Sequence, residues 1–429
     1  MKSILIIISL IICLFLIHIK NKTIFNITGV FVLFWGVCSI FASFSLYGMY
    51  ELSYIVTFLI IMAMFSFTIV GLVFPAFDKR SLCLDDLKQP DERGKPVILS
   101  NGFLIFVLNI VVYVFSIPYL IKSISIIGNQ GFEILRTYAF VGSSQFASTT
   151  VLTIFQYIVN PLFIATMIVT AIDISLKKRA IRGLIMTIIG TALYTVLFGG
   201  RYMLFQTILV FLMAYYINST SRISIFLKRN KKIIAIVGTA ILGMIVITSL
   251  RPSGGLLRSI YVYFCGSFKY LDVLLEDQSF ISMHLGGIAT IGFIYDFILT
   301  VLVLFLNISP HYGASYQITQ VTGSSRLIGT GLRYNSLGTM YTSFVADFGI
   351  WGSIFGVIVF AIMVCWIQKR FMRRPSYYSF ALYLFGLYAV INAVLSYSFL
   401  KFSIAFLIVF LVIFTKKIQF RFGRKLYIK

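Results

Sequence analysis

Residues 54–77 read YIVTFLIIMAMFSFTIVGLVFPAF, without one charged side chain. About 20 helical residues carry a chain across ~30 Å of hydrocarbon. Backbone groups in that layer have no water to bond, so such a run must be a helix or part of a closed barrel, and it is too long for a barrel strand. Comparable runs occur at 3–19, 24–47, 102–121, 151–175, 183–198, 202–218, 233–250, 349–367, 377–396 and 402–415. The sequence therefore predicts an all-α fold, a polytopic integral membrane helical bundle of about 11 spans with bounds of about 10 and 12. The 429 residues read as a single membrane domain, 59% hydrophobic and only 11% charged.

The flanks of the runs set the orientation. Immediately after residue 77 comes DKRSLCLDDLKQPDERGKP, the start of a polar connector at 78–101 with five basic and five acidic residues. Basic clusters also fill Lys177–Arg182, Lys228–Lys232, Lys369–Arg374 and the tail at 416–429. Lys and Arg concentrate in cytoplasmic loops, so these segments are expected inside. Ten of the 36 basic residues then fall outside. The net charge of +23 thus records topology, and no nucleic-acid partner is expected. An odd number of crossings with an inside C-terminus puts the N-terminus outside; residues 1–19 read as the first span, with no small-residue cleavage site following.

One interval departs from the pattern. Residues 251–348, from RPSGGLLRS to the start of DFGIWG, form a large outside loop holding Asp272, Glu276, Asp277, Asp296, Asp347, His284 and His311. Within it, 287–308 is apolar enough to insert, but one crossing there would reverse every later loop and put Lys369–Arg374 outside. It is expected to be a re-entrant or interface-lying helix, with Asp296 shielded from lipid.

Six outside basic residues are arginines: Arg136, Arg201, Arg251, Arg258, Arg326 and Arg333. A guanidinium keeps its charge and grips phosphate through two parallel hydrogen bonds. Arginines at headgroup depth suit a lipid-linked phosphate or pyrophosphate; snorkelling to lipid headgroups is the alternative. The turn Phe198-Gly199-Gly200-Arg201-Tyr202 adds backbone N–H groups that an anion can approach. The outside tyrosines, Tyr334 among them, suit either sugar rings or the interfacial aromatic belt. For proton transfer the candidates are His284, His311 and the five loop carboxylates, with Asp347 and His311 first; Asp347, read as lying at the N-terminus of a span, could instead simply cap it. The five cysteines show no paired spacing, and there is no metal-ligand cluster, Walker loop or dinucleotide loop, so no cofactor is expected.

At Gly199-Gly200-Arg201, and at Asn335-Ser336-Leu337-Gly338-Thr339 followed by Asp347-Phe348-Gly349-Ile350-Trp351-Gly352, the chain resembles bacterial O-antigen polymerases, distant relatives of the O-antigen ligases. The resemblance extends to the layout, with one large periplasmic loop two-thirds along. It implies a metal- and nucleotide-independent glycosyltransferase of the bacterial inner membrane that joins undecaprenyl-pyrophosphate-linked oligosaccharides for surface polysaccharide, in lipopolysaccharide biosynthesis. It also implies membrane lipids and a chain-length regulator protein as partners. By position, Arg201 and Arg251 resemble the family's arginines of the short turn and the loop opening. Arg258, Arg326, Arg333, Tyr334 and Asn335 complete the expected substrate contacts. Ligases carry a histidine just before the motif asparagine; this chain has Tyr334, which favours a polymerase and leaves the base unassigned. A flippase of lipid-linked oligosaccharides is the rival reading, although internal repeats and cations along the spans are not visible.

Overall fold

The computed structural model of the protein describes residues 1–77, 100–131, 134–135, 149–176, 180–200, 202–218, 238, 255–306, 313–335, 338–415, 418–419 and 427–428. Among these, six helices are long and apolar enough to cross a membrane by length and composition: α1 (Lys2–Asn21), α3 (Tyr54–Val73), α4 (Gly102–Gln130), α5 (Thr150–Ser175), α6 (Ile181–Phe198) and α12 (Tyr341–Arg373). Four shorter apolar helices join them: α2 (Ile27–Ser43), α7 (Tyr202–Asn218), α13 (Tyr377–Asn392) and α14 (Ser403–Thr415). This is an overwhelmingly helical, multi-pass membrane architecture. The expected run 233–250 and the tail at 416–429 lie largely outside the described residues, as does nearly all of 78–101.

The chain divides into two compact units interleaved in sequence. The first comprises Met1–Asp78, Leu257–Arg373 and Gly386–Ala405; the second comprises Lys79–Leu256, Arg374–Phe385 and Phe406–Lys429. In the first unit α1, α2 and α3 pack side by side. Asn26 caps α2 by accepting the Gly29 N–H at 2.9 Å, and Ser53 caps α3 by accepting that of Val56 at 3.2 Å. Lipid tails are as apolar as leucine, so helices in a bilayer associate through close packing and hydrogen bonds rather than escape from water. The shared core shows this: Phe31 stacks on Phe67, and Trp35 meets Phe268 at 5.0 Å while its indole N–H donates to the Ile60 carbonyl.

The two ends of this unit are distinct. At one, Gln368 accepts the Ile27 N–H at 3.0 Å, Asn21 accepts that of Phe77, and Lys369 lies over the Phe74 ring. At the other, the connector between α2 and α3 is covered by α8 (Leu256–Leu274), whose Tyr261 hydroxyl donates to the Phe41 carbonyl and accepts the Leu46 N–H.

The second unit holds α4 to α7. At 29 residues, α4 is about 43 Å long and runs past the expected end of its span, so the outside loop placed at 122–150 begins as helix. Gly199, with φ of 59°, ends α6, and α7 starts at Tyr202; Arg201, in the turn expected between them, lies outside the described residues. A buried carboxylate that the sequence reading left without a role, Asp173 on α5, accepts hydroxyls from Tyr377 at 2.9 Å and Ser100 at 2.7 Å. It fastens the starts of α4 and α13 to α5.

Candidate functional site

The described part of the long loop folds as a platform on the first unit. After α8 come α9 (Gln278–Ile281), a turn at 284–291, α10 (Gly292–Leu306) and α11 (Ala314–Thr322). A hairpin of β1 (Ser325–Gly329) and β2 (Leu332–Asn335) follows. The hairpin was not expected. Its signal was the alternation in Ser325–Asn335 around a Thr330-Gly331 turn, with φ of 68° at Gly331. Its outer edge pairs with the α2–α3 connector: the Thr330 N–H donates to the Gly48 carbonyl at 2.8 Å, and the Tyr50 N–H to that of Ile328 at 2.9 Å.

Four of the five loop carboxylates are consumed in holding this platform. Asp272 accepts the Lys269 ammonium at 2.7 Å and the Ser53 N–H at 2.9 Å. Asp277 caps α9 through Ser279 and pairs with Arg326. Asp296, buried on α10, accepts the N–H groups of Ala314 and Ser315, capping α11 from a neighbouring helix. At 15 residues, α10 is about 22 Å long, shorter than the hydrocarbon layer. Ala314, at the start of α11, lies against Asp296 near the start of α10, and residues 307–312 between the two helices are outside the described residues. Glu276 is exposed.

Asp347 departs from its expected place. Helix α12 starts at Tyr341 and is broken at Gly349, where φ is 69° and ψ is −179°. That region is essentially reserved for glycine. A straight helix would separate residues 344 and 356 by about 18 Å, yet a Cβ on Gly356 would lie 2.5 Å from the Phe344 ring. The chain therefore folds back at Gly349 into a short arm, 341–348, and a long arm, 350–373. Asp347 is at the C-terminal end of the short arm, not at a helix N-terminus, and it caps nothing on its own helix. A carboxylate at a helix C-terminus opposes the macrodipole, and compensation comes from across the site. Oδ1 accepts the Ala289 N–H at 2.9 Å; Oδ2 accepts the Thr290 N–H at 2.7 Å and the Thr290 hydroxyl at 2.6 Å.

The break also frees carbonyls that a continuous helix would satisfy. Those of Ala346 and Asp347 accept the N–H groups of Leu285 and Gly286, at 2.8 and 3.2 Å. Five hydrogen bonds thus tie the 284–291 turn to the short arm, and Tyr397 adds one more by donating to the Thr290 carbonyl at 2.7 Å.

Compared with known proteins, the chain matches no family model, no curated protein and no solved structure.

The expected substrate contacts do not converge as one set. Register pairs Arg326 with Tyr334 and Leu327 with Arg333. Side chains alternate across a strand pair, so the two arginines take opposite faces of the hairpin. Tyr334 is on the inner face, 7% exposed: its hydroxyl donates to the Tyr263 carbonyl at 2.9 Å and its ring packs on Tyr270. Gly266 of α8 permits this approach, since a Cβ there would come within 2.7 Å of the Tyr334 ring. Arg326 is taken by Asp277, while Arg333 is exposed and Arg258 half-buried, neither with an ion-pair partner among the described residues. Asn335 ends β2 opposite Ser325. Arg201, Arg251 and His311 lie outside the described residues. Among the described residues no group of His, Cys, Asp or Glu could hold a metal ion.

Proposed function

We propose that the protein is a membrane glycosyltransferase that polymerises undecaprenyl-pyrophosphate-linked oligosaccharide repeat units at the periplasmic face of the bacterial inner membrane, an O-antigen polymerase in type. The observation that carries this reading is the division of labour in the loop. Its buried carboxylates are spent as fasteners, which leaves a rigid platform at one end of a lipid-embedded bundle with Arg258 and Arg333 free to meet an anion. Such a platform suits a substrate whose lipid tail stays in the bilayer while its sugars project from it.

The donor already carries its activation. The oxygen of the acceptor sugar bonds to the anomeric carbon of the growing chain as the bond to pyrophosphate breaks, and undecaprenyl pyrophosphate leaves with the electron pair. Fixed positive charge where the leaving group develops its own charge is the main help the protein can give. Arg201 and Arg251 are assigned that role, with Arg258 and Arg333 as further contacts and membrane lipids as solvent for the carrier. Asp347 enters as the residue that positions the 284–291 turn.

Surface polysaccharide from a deletion strain tests this on a gel. Single capped repeat units with the ladder lost are expected. Loss of all surface polymer would instead point to a flippase. Arg201→Ala and Arg251→Ala should reproduce the deletion while the protein still reaches the membrane, and Lys should restore only part, because a point charge lacks the two-pronged grip. Full activity of both Ala variants would return these residues to headgroup anchoring.

A further inference from the structure

We propose that His284 is the catalytic base of this site, the group that takes the proton from the attacking sugar hydroxyl. The inference rests on the glycosyltransferase reading above and adds to it the residue that reading lacks. Four non-glycine residues among those described have positive φ. Lys22 ends α1, and Ser45 and Tyr47 lie in the α2–α3 connector. His284, with φ of 38°, is the fourth, and it has no helix to terminate in that way. A residue with a Cβ resists this conformation, and such outliers persist where the surroundings over-determine them. Here the surroundings do so visibly. The two N–H groups that follow, of Leu285 and Gly286, are bonded to the carbonyls released by the break in α12. Asp347 holds the far side of the same turn through Ala289 and Thr290.

What this restraint presents is an exposed imidazole whose Cε1 would lie 3.7 Å from a Cβ on Gly349, at the hinge itself. No hydrogen bond or ion pair engages the His284 side chain among the described residues. The titratable groups on the packed elements are already committed: Asp347 to Ala289 and Thr290, Asp296 to Ala314 and Ser315, Tyr397 to the Thr290 carbonyl. An imidazole held by its backbone and free at its ring has a nitrogen lone pair to offer. In the transfer step, the acceptor oxygen forms its bond to the anomeric carbon and the pyrophosphate leaves with the old bonding pair. The hydroxyl proton moves to the free ring nitrogen of His284 and passes to water afterwards.

The test uses the full-length protein in liposomes, supplied with lipid-linked repeat units extracted from the deletion strain. His284→Gly is the informative variant, because glycine takes positive φ without strain and the turn should stay folded. Polymer formation should fall by roughly 10²- to 10⁴-fold, the usual range for a lost general base. Added imidazole should restore part of it, and His284→Asn, which also tolerates this backbone region, should be as inactive as Gly. A His284→Gly protein as active as the wild type overturns the proposal, and so does a loss that imidazole leaves untouched. If the wild-type protein itself fails to lengthen the repeat units, the glycosyltransferase reading falls and takes this one with it; a working wild type beside a working Gly variant removes only the role of His284.

Discussion

Asp347 carries three hydrogen bonds and receives only donors, which makes its replacement by asparagine a sharp experiment. The amide keeps one acceptor and turns an N–H₂ toward the N–H of Ala289 or Thr290. A buried donor left facing a donor costs about 1–3 kcal/mol. Asp347→Asn should therefore lower the thermal stability of the detergent-solubilised protein and weaken polymer formation together. Loss of polymer with an unchanged melting temperature would show that the carboxylate works on the substrate directly. Gly349→Ala is expected to cost about 1–3 kcal/mol for backbone reasons, since there is room for the methyl group: the nearest atom, on His284, would be 3.7 Å away. The same melting experiment reads it, and an alanine protein as stable as the wild type would contradict the fold-back at that residue. The sequence displayed Asp347-Phe348-Gly349 as a motif, but which side of the glycine each helix lay on depended on partners 57 and 58 positions away.

The hairpin and α9 form one element through the Arg326–Asp277 pair. Asp277 is held down to about 2 by the Ser279 hydroxyl first and the Arg326 guanidinium next. A carboxylate whose folded pKa is depressed gives stability that is present above its unfolded value, near 3.9, and is lost as pH falls through the folded one. Protection of 323–335 from protease should thus be constant down to about pH 4 and decline between about pH 4 and pH 2. Arg326→Ala and Asp277→Ala should loosen the hairpin similarly, and the double variant should add little to either. That non-additivity separates the fastening role from a phosphate-binding one: if Arg326 served the substrate, Asp277→Ala would leave polymer intact while Arg326→Ala abolished it. Sequence alone placed both arginines, Arg326 and Arg333, among the contacts to one anionic substrate, because residue type says nothing about which face of a strand pair a side chain takes.

At the scale of the whole molecule, the first unit predicts a pattern of accessibility. Cysteines introduced at 46–50, 276–286 and 323–333 should be labelled from one side of the membrane, and those at 22–25 and 372–373 from the other. Opposite labelling of 276–286 and 323–333 would mean that α10 crosses, contrary to the bond between Asp296 and Ala314. The sequence by itself determined the helical, membrane-embedded class and where most of its apolar helices lie, because burial in hydrocarbon leaves a chain no other way to satisfy its backbone and writes that demand as uninterrupted apolar runs. It also marked 251–348 as the long interval between apolar runs that gathers five carboxylates and two histidines. Only the tertiary structure decided what the polar residues of that interval do. Asp272, Asp296 and Asp347 looked like acid–base candidates because a carboxylate reads the same whether it faces substrate or a backbone N–H of its own chain. The fold spends them internally, as buried charges must be spent, and leaves His284 and Arg333 exposed.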